Sequence, residues 1–374
     1  MVEEYFNIHD LVKLKVESNI TSKVTTVLAQ LREFQTVPLD NDSIDIYIYD
    51  YLRCPNFKNV TILGEHYYYS NNYLRIPKEK FCFNFIDKPF TVYCDHFIIP
   101  LNFIIELVLL VKGYSFIHSA AVEYRGRNYL FPAFGGTGKT TTVSAIVHSG
   151  GKLYGDDMNI INDREILNYP SDFSVYPYHL DILDIKDKKI KNKFKKTKIL
   201  DRITNELENY KFRVCKLLIL VLNSFKTPCI NIAPRAIFGE DCIVRGGKID
   251  EIYYLSRAEN DLSEISIENI DSNELAEICR NVLLQEWQMA MPVIYTYSGL
   301  SPFSVNSILD RIRDLFGQTF LQYKCYQITI PNSLGNLAYQ RQLISYLTNL
   351  DIKWEVGSNP RKLQNHEPNR THLR

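Results

Sequence analysis

The sequence predicts an α/β fold: a β-rich N-terminal domain, a βαβ core and an α+β C-terminal region. Three observations carry that prediction. Residues 1 to about 95 hold short aliphatic and aromatic runs separated by turn residues. Between Phe116 and Asp157, strand-like runs enclose a glycine-rich loop and a helix-like segment. After Glu274, helical patterns surround one strand-like run. The chain has 374 residues, and at roughly 150 residues per domain it has room for two to three. We place the boundaries at 1–97, 98–260 and 261–356, with a polar tail, expected to be disordered, at 357–374.

In the N-terminal part, Ile44, Ile46 and Ile48 alternate with Asp45, Tyr47 and Tyr49, the pattern of a half-buried strand. His66–Tyr69 and Phe81–Phe85 are further strand candidates, divided by Ser70-Asn71-Asn72 and followed by Asp87-Lys88-Pro89. No chemistry is visible in this domain. The most apolar stretch, Phe97–Ile117, contains Pro100, Asn102, Glu106 and Lys112. That polar load argues for a buried helix over about 100–112 rather than a membrane span. Phe116–Glu123 and Asn128–Ala133 read as strands around an Arg125-Gly126-Arg127 turn. Thr140–His148 reads as a helix closed by Ser149-Gly150-Gly151, and Lys152–Tyr154 as the next strand. Later strands are expected at Val214–Leu222, Cys229–Ile232 and Lys248–Leu255. Helices are expected at Glu274–Met291, Pro302–Phe316 and Leu337–Leu350, with a strand at Phe320–Ile330.

Composition excludes several classes. Apolar residues are 45% and charged residues 23%, ordinary for a globular protein. Lys+Arg and Asp+Glu are both 43, which argues against a globally basic nucleic-acid or membrane coat. No two of the eight cysteines lie within four residues of each other, so no C-x-x-C pair exists. The acidic start, Met-Val-Glu-Glu-Tyr-Phe, lacks a signal-peptide plan. Together these point to reduced thiols and a cytoplasmic protein.

The strongest motif is Ala133-Phe134-Gly135-Gly136-Thr137-Gly138-Lys139-Thr140-Thr141. It matches the G-K-T end of the phosphate-loop pattern G-x-x-x-x-G-K-[ST], with Ala133 in place of the first glycine. Backbone N–H groups of such a turn cradle phosphates, and the following helix aims its positive end at them. In that role Gly135, Gly136, Thr137, Gly138, Lys139, Thr140 and Thr141 would bind nucleotide phosphates, with Thr140 on Mg²⁺. Asp156 and Asp157 follow Lys139 by 17 and 18 residues, enough for one helix and one short strand. If that strand lies beside the one feeding the loop, the pair ends next to the γ-phosphate. One carboxylate could then hold Mg²⁺ and the other accept a proton.

His118, in the strand before the loop, completes a set that resembles the catalytic core of HPr kinase/phosphorylase and related P-loop kinases. That family joins a histidine-bearing strand, a hairpin, a G-K-[ST] loop and a strand ending in Asp-Asp; its fold is related to ATP-dependent phosphoenolpyruvate carboxykinase. The resemblance spans His118–Ile160. Weaker echoes lie at Ile232-Ala233-Pro234, Ile237-Phe238-Gly239 and Gly247–Arg257. It implies a P-loop HPr-kinase-like core over 98–260 that transfers the γ-phosphate of Mg-ATP to an acceptor hydroxyl. It further implies Asp156 as general base, Asp157 supporting the metal or Lys139, and His118 near the transferring phosphoryl group. Arg235 and Arg257 are secondary phosphate-contact candidates. The family's glycine-rich signature for its protein substrate is not visible, which argues against HPr as acceptor. A peptide or protein serine is favoured over a small metabolite, and a homo-oligomer is left open as a partner.

Residues 186–198 carry eight lysines and one acid. They read first as a solvated loop, and second as an electrostatic collar beside the phosphate site that attracts an anionic acceptor, with nucleic acid not favoured. Ile190 and Phe194 also allow a basic helix with a small apolar stripe. Two rival functions stay open: a non-catalytic nucleotide sensor, and an RNA-directed kinase using the lysine run.

Overall fold

The computed structural model describes residues 1–64, 66–208, 229–259 and 262–358. It is a mixed α/β structure built on two nine-stranded sheets. The first runs, in spatial order, Gln35–Thr36, Val2–Ile8, Val12–Ser18, Ile46–Tyr49, Phe90–Cys94, Phe81–Asn84, Tyr73–Ile76, Tyr67–Ser70 and Thr61–Leu63. Val12–Ser18, Ile46–Tyr49 and Phe90–Cys94 pair in parallel; the remaining pairs are antiparallel. The alternation read from the sequence holds here: Ile46 and Ile48 are fully buried while Tyr47 and Tyr49 are half-buried.

One element of this region was not legible as a helix. Thr21–Leu31 is helical and packs on strand Val12–Ser18. Its Thr21, Val24, Thr25, Thr26 and Val27 are β-branched residues that lower helix propensity and favour strands. Tertiary contacts override that preference. Val27 and Leu31 enter the core, and buried Lys23 donates to Asp50 Oδ1 at 2.6 Å and to the Cys94 carbonyl at 2.8 Å.

The apolar stretch becomes the helix Leu101–Val111, placed between strand Val12–Ser18 of the first sheet and Ser115–Tyr124 of the second. Leu101, Phe103, Ile104, Ile105, Leu107, Val108 and Leu109 are buried, and each such side chain contributes roughly 1.5–3 kcal/mol relative to exposure. Glu106, fully buried on the same helix, accepts from Ser115 Oγ at 2.6 Å and from the Phe116 amide at 2.8 Å. Among the described residues, no helix is long and apolar enough to cross a membrane.

The second sheet runs Gly246–Lys248, Glu165–Leu167, Met158–Ile161, Ser115–Tyr124, Arg127–Pro132, Glu251–Ala258, Lys324–Pro331 and Ser266–Asn269, with Lys152–Gly155 as its ninth strand beside Ser115–Tyr124. Neighbouring residues of its strands feed opposite cores, as the pleat requires. Leu130 and Ile252 join the core shared with the first sheet; Tyr129, Phe131 and Tyr253 join the other. On that other face the helices Lys139–His148 and Asn336–Ser358 pack together, with Thr142 Oγ1 2.7 Å from the Tyr339 hydroxyl.

Several expectations need correction. Lys152–Gly155 does not lie beside the strand feeding the glycine loop; it pairs antiparallel with Ser115–Tyr124, which stands between them. Of the readings of the lysine run, the basic helix holds and the loop does not: Lys188–Glu208 is helical, with Phe194 fully buried and Ile190 half-buried against the second core. Ile230–Ile232 pairs with Phe173–Val175 outside both large sheets. The helix expected over 274–291 is Ser272–Trp287, and a further helix, Met291–Leu300, follows it; Pro292 can open a helix but not continue one. The strand expected at 214–222 lies outside the described residues, as does the tail from 359 onward. The seven described cysteines are free thiols.

Candidate functional site

The geometry of the site begins with the strand Ser115–Tyr124. Along one edge its first half pairs with Met158–Ile161 and its second half with Lys152–Gly155. The two residues between those partners are Asp156 and Asp157, so the acidic pair is pinned beside the middle of the strand. There, the Ser119 amide donates to the Asp157 carbonyl at 3.0 Å. Along the other edge runs Arg127–Pro132, and the Ala133 amide donates to the His118 carbonyl at 3.3 Å. His118, the start of the glycine loop and the acidic pair therefore meet at one place. Gly155 is required for this approach: a Cβ there would sit 2.5 Å from the Met158 carbonyl oxygen.

The loop has the backbone its glycines allow. Gly136 has φ +76° and Gly138 φ +132°, conformations that L side chains rarely adopt. Gly138 stands at the N-terminus of helix Lys139–His148, whose free N–H groups and dipole favour an anion. The Thr137 carbonyl accepts from Arg257 Nε at 2.9 Å, which ties the loop to the neighbouring parallel strand Glu251–Ala258.

Two hydrogen-bonded pairs organise the acids. Thr140 Oγ1 donates to Asp156 Oδ2 at 2.7 Å. His118 Nε2 lies 2.8 Å from Asp157 Oδ1, and Lys139 Nζ is 3.8 Å from the same oxygen. Burial pushes the Asp156 pKa up to about 7; the Thr140 hydrogen bond and Lys139 act against the rise, and the Asp157 charge adds to it. For Asp157, whose side chain is open to the cleft, the surrounding protein acts upward, but the His118 hydrogen bond and the charges of His118 and Lys139 outweigh it and hold the pKa at about 2. An ionised Asp157 can only accept, so His118 Nε2 is the donor. Its Nδ1 faces Glu286 Oε1 at 3.6 Å, so the ring stands between two carboxylates. Local sequence held no signal for Glu286, which arrives on the distant helix Ser272–Trp287.

The loop and the acids line a cleft of about 500 Å³. Gly135, Gly136, Gly138, Lys139, Thr140 and Thr141 lie along it, together with Asp156, Asp157 and Arg257. Thr137 is adjacent, holding the loop by donating to the Phe134 carbonyl at 2.9 Å. Asn336 and the run Ser174–Ile182 complete the wall. Within that run Tyr176 and Tyr178 stack with ring centroids 5.6 Å apart, and both are exposed, at 38% and 61%. A stacked, exposed aromatic pair beside a polar cleft offers a platform for a planar ring. The Ser174-Val175-Tyr176-Pro177-Tyr178-His179 sequence was the available signal for it.

Two expectations fall away from the cleft. Arg235 is held by Glu33, with Nε 3.0 Å from both carboxylate oxygens, and it does not line the cleft. No described lysine of the 186–198 run lines it either. Helix Lys188–Glu208 turns Phe194 inward and leaves the described lysines solvent-exposed, which removes the charged collar.

Among the described residues, no group of three or more His, Cys, Asp or Glu forms a metal cage. Mg²⁺ on a nucleotide takes most of its oxygens from phosphate and water, so a small donor set suffices. The residues fit that use: Asp156 Oδ1 is buried without a hydrogen-bond partner, beside a carboxyl oxygen already oriented by Thr140.

No protein-family profile matches the chain, and no curated protein does. Among solved structures, the Hpr(Ser) kinase/phosphatase from Coxiella burnetii is similar over 64% of this chain and 99% of its own, at 10% identity and a TM-score of 0.27. A likeness this distant carries no argument about activity.

Proposed function

We propose that the chain is a kinase that binds Mg-ATP on a P-loop at Gly135–Thr141 and transfers the γ-phosphate to an acceptor hydroxyl. One observation carries this reading. Lys139, the Thr140–Asp156 pair and the Asp157–His118 pair converge on a single cleft whose wall also presents Tyr176 and Tyr178. A phosphate cradle, a divalent-cation donor set, a held carboxylate and a ring platform are the parts that phosphoryl transfer from a nucleotide requires.

In this reading the two roles expected for the aspartates are exchanged, and the hydrogen-bond pairing supports the exchange. Thr140 Oγ1 and the Asp156 carboxylate would hold Mg²⁺, which when bound neutralises charge on the phosphates. Asp157 is the base. It is oriented by His118, and its side chain is 57% accessible in the cleft. Its low proton affinity suits a late proton transfer, when the acceptor oxygen has already become acidic through bonding to phosphorus. Lys139 and the helix N-terminus stabilise the charge on the phosphoryl oxygens, and Arg257 steadies the loop through the Thr137 carbonyl.

Kinetics with labelled Mg-ATP test this assignment. Asp157→Asn is expected to keep nucleotide affinity within a few-fold while slowing transfer by about 10²–10⁴-fold. Asp156→Asn is expected to raise the Mg²⁺ concentration needed for half-maximal nucleotide binding. The reverse pattern, with Asp157→Asn changing only the Mg²⁺ requirement, would return the base role to Asp156.

A further inference from the structure

A second cavity, of about 310 Å³, adjoins the cleft and shares Asp157 and Ser174 with it. It is walled by helix Thr21–Leu31, by Asn102 at the start of the buried helix, by Tyr169–Asp172 and by Asn231. Its lining is polar with little charge: Asp157 and Asp172 are the charged residues, and Asp172 is engaged by Arg32 at 3.3 Å. Thr25, Thr26, Gln30, Asn102, Ser171, Ser174 and Asn231 bring hydroxyl and amide groups to its lining. Tyr169 is 98% buried, since its relative exposure is 2%.

We propose that this cavity is the acceptor site and that the acceptor is a small, uncharged molecule carrying several hydroxyl groups. The inference rests on the reading of the neighbouring cleft as a nucleotide site. Hydroxyl groups both donate and accept, so they match a lining of threonine and serine hydroxyls and glutamine and asparagine amides. Among the described residues, no cation lines the cavity to receive a phosphorylated or carboxylated acceptor. Its volume lies at the small-molecule end of the roughly 300–1,000 Å³ range of ligand sites. Asp157, on the shared wall, takes the proton of one acceptor hydroxyl. That oxygen forms a bond to the γ-phosphorus, the bond from the γ-phosphorus to the β,γ-bridging oxygen breaks, and ADP leaves with the electron pair.

The test uses the full chain with γ-labelled Mg-ATP. The neutral probes are glycerol, D-ribose, D-glucose and myo-inositol. D-glucose 6-phosphate and a serine-containing peptide serve as contrasts, and nucleotide binding is measured separately by calorimetry. Label is expected on a neutral probe. Gln30→Leu and Asn102→Leu should each raise the KM for that probe about 10-fold or more, with ATP affinity unchanged. Thr26→Trp, at an exposed position on the cavity wall, gives the same split without touching the core. Nucleotide binding with label on the sugar phosphate or peptide alone, or on no probe, overturns the acceptor assignment and leaves the nucleotide reading standing. Absence of nucleotide binding overturns both.

Discussion

The cleft and the cavity beside it share Asp157 and Ser174 but are built on opposite principles. The cleft concentrates charge: Lys139, Arg257, Asp156 and Asp157 surround a glycine loop drawn from one short stretch of chain. The cavity gathers uncharged polar groups from residues 25–30, 102, 169–174 and 231. The difference shows how one carboxylate can serve two neighbours. Asp157 is kept ionised by His118 and Lys139 and also lines the cavity.

Substitutions that touch one chamber and spare the other sharpen this contrast. Tyr178→Ala should weaken ATP binding by about 5- to 100-fold, the range expected for losing one stacked base, while the acceptor KM stays within two-fold or so by the same separation of sites. Because Tyr178 is exposed, the melting temperature should not move. Equal loss for both substrates, read from initial rates, would join the two chambers into one site.

A smaller effect concerns Glu106, on the helix that carries Asn102 and bonded to the strand that carries His118. Burial raises its pKa to about 8, against the hydrogen bonds from Phe116 and Ser115. The unfolded chain loses this proton near pH 4.5 and the folded chain only near pH 8. This group's contribution to stability therefore falls as pH rises through that window and is flat above it. Glu106→Gln, which mimics the neutral acid, should raise the melting temperature by a few degrees at pH 8 and leave it unchanged at pH 4. An equal shift at both pH values would show that burial does not govern this carboxyl.

The same contrast explains what could be read from the chain alone. The loop, Lys139 and the acidic pair were legible because 17 residues separate Lys139 from Asp156 and each part has a local signature. The strand alternation around Ile46 and the buried helix over 101–111 were legible for the same reason. Sheet order was not, since nothing near Lys152 announces that Ser115–Tyr124 will stand between it and the loop strand. The cavity was invisible because threonine, glutamine and asparagine scattered over 200 positions carry no spacing. Helix Thr21–Leu31, which supplies its wall, is made of residues that prefer strands. The lysine run misled in the other direction: conspicuous charge suggested a place at the site, whereas buried Phe194 sets its orientation.

The central claim is that Gly135–Thr141 binds the phosphates of Mg-ATP. Calorimetric titration of Mg-ATP into the wild-type chain and into Lys139→Ala tests it most directly. The wild type should saturate at one site per chain, and Lys139→Ala should bind about 10- to 100-fold more weakly, the loss of a charge-assisted contact. Equal affinity for the two proteins, or no heat of binding to the wild type, would contradict it.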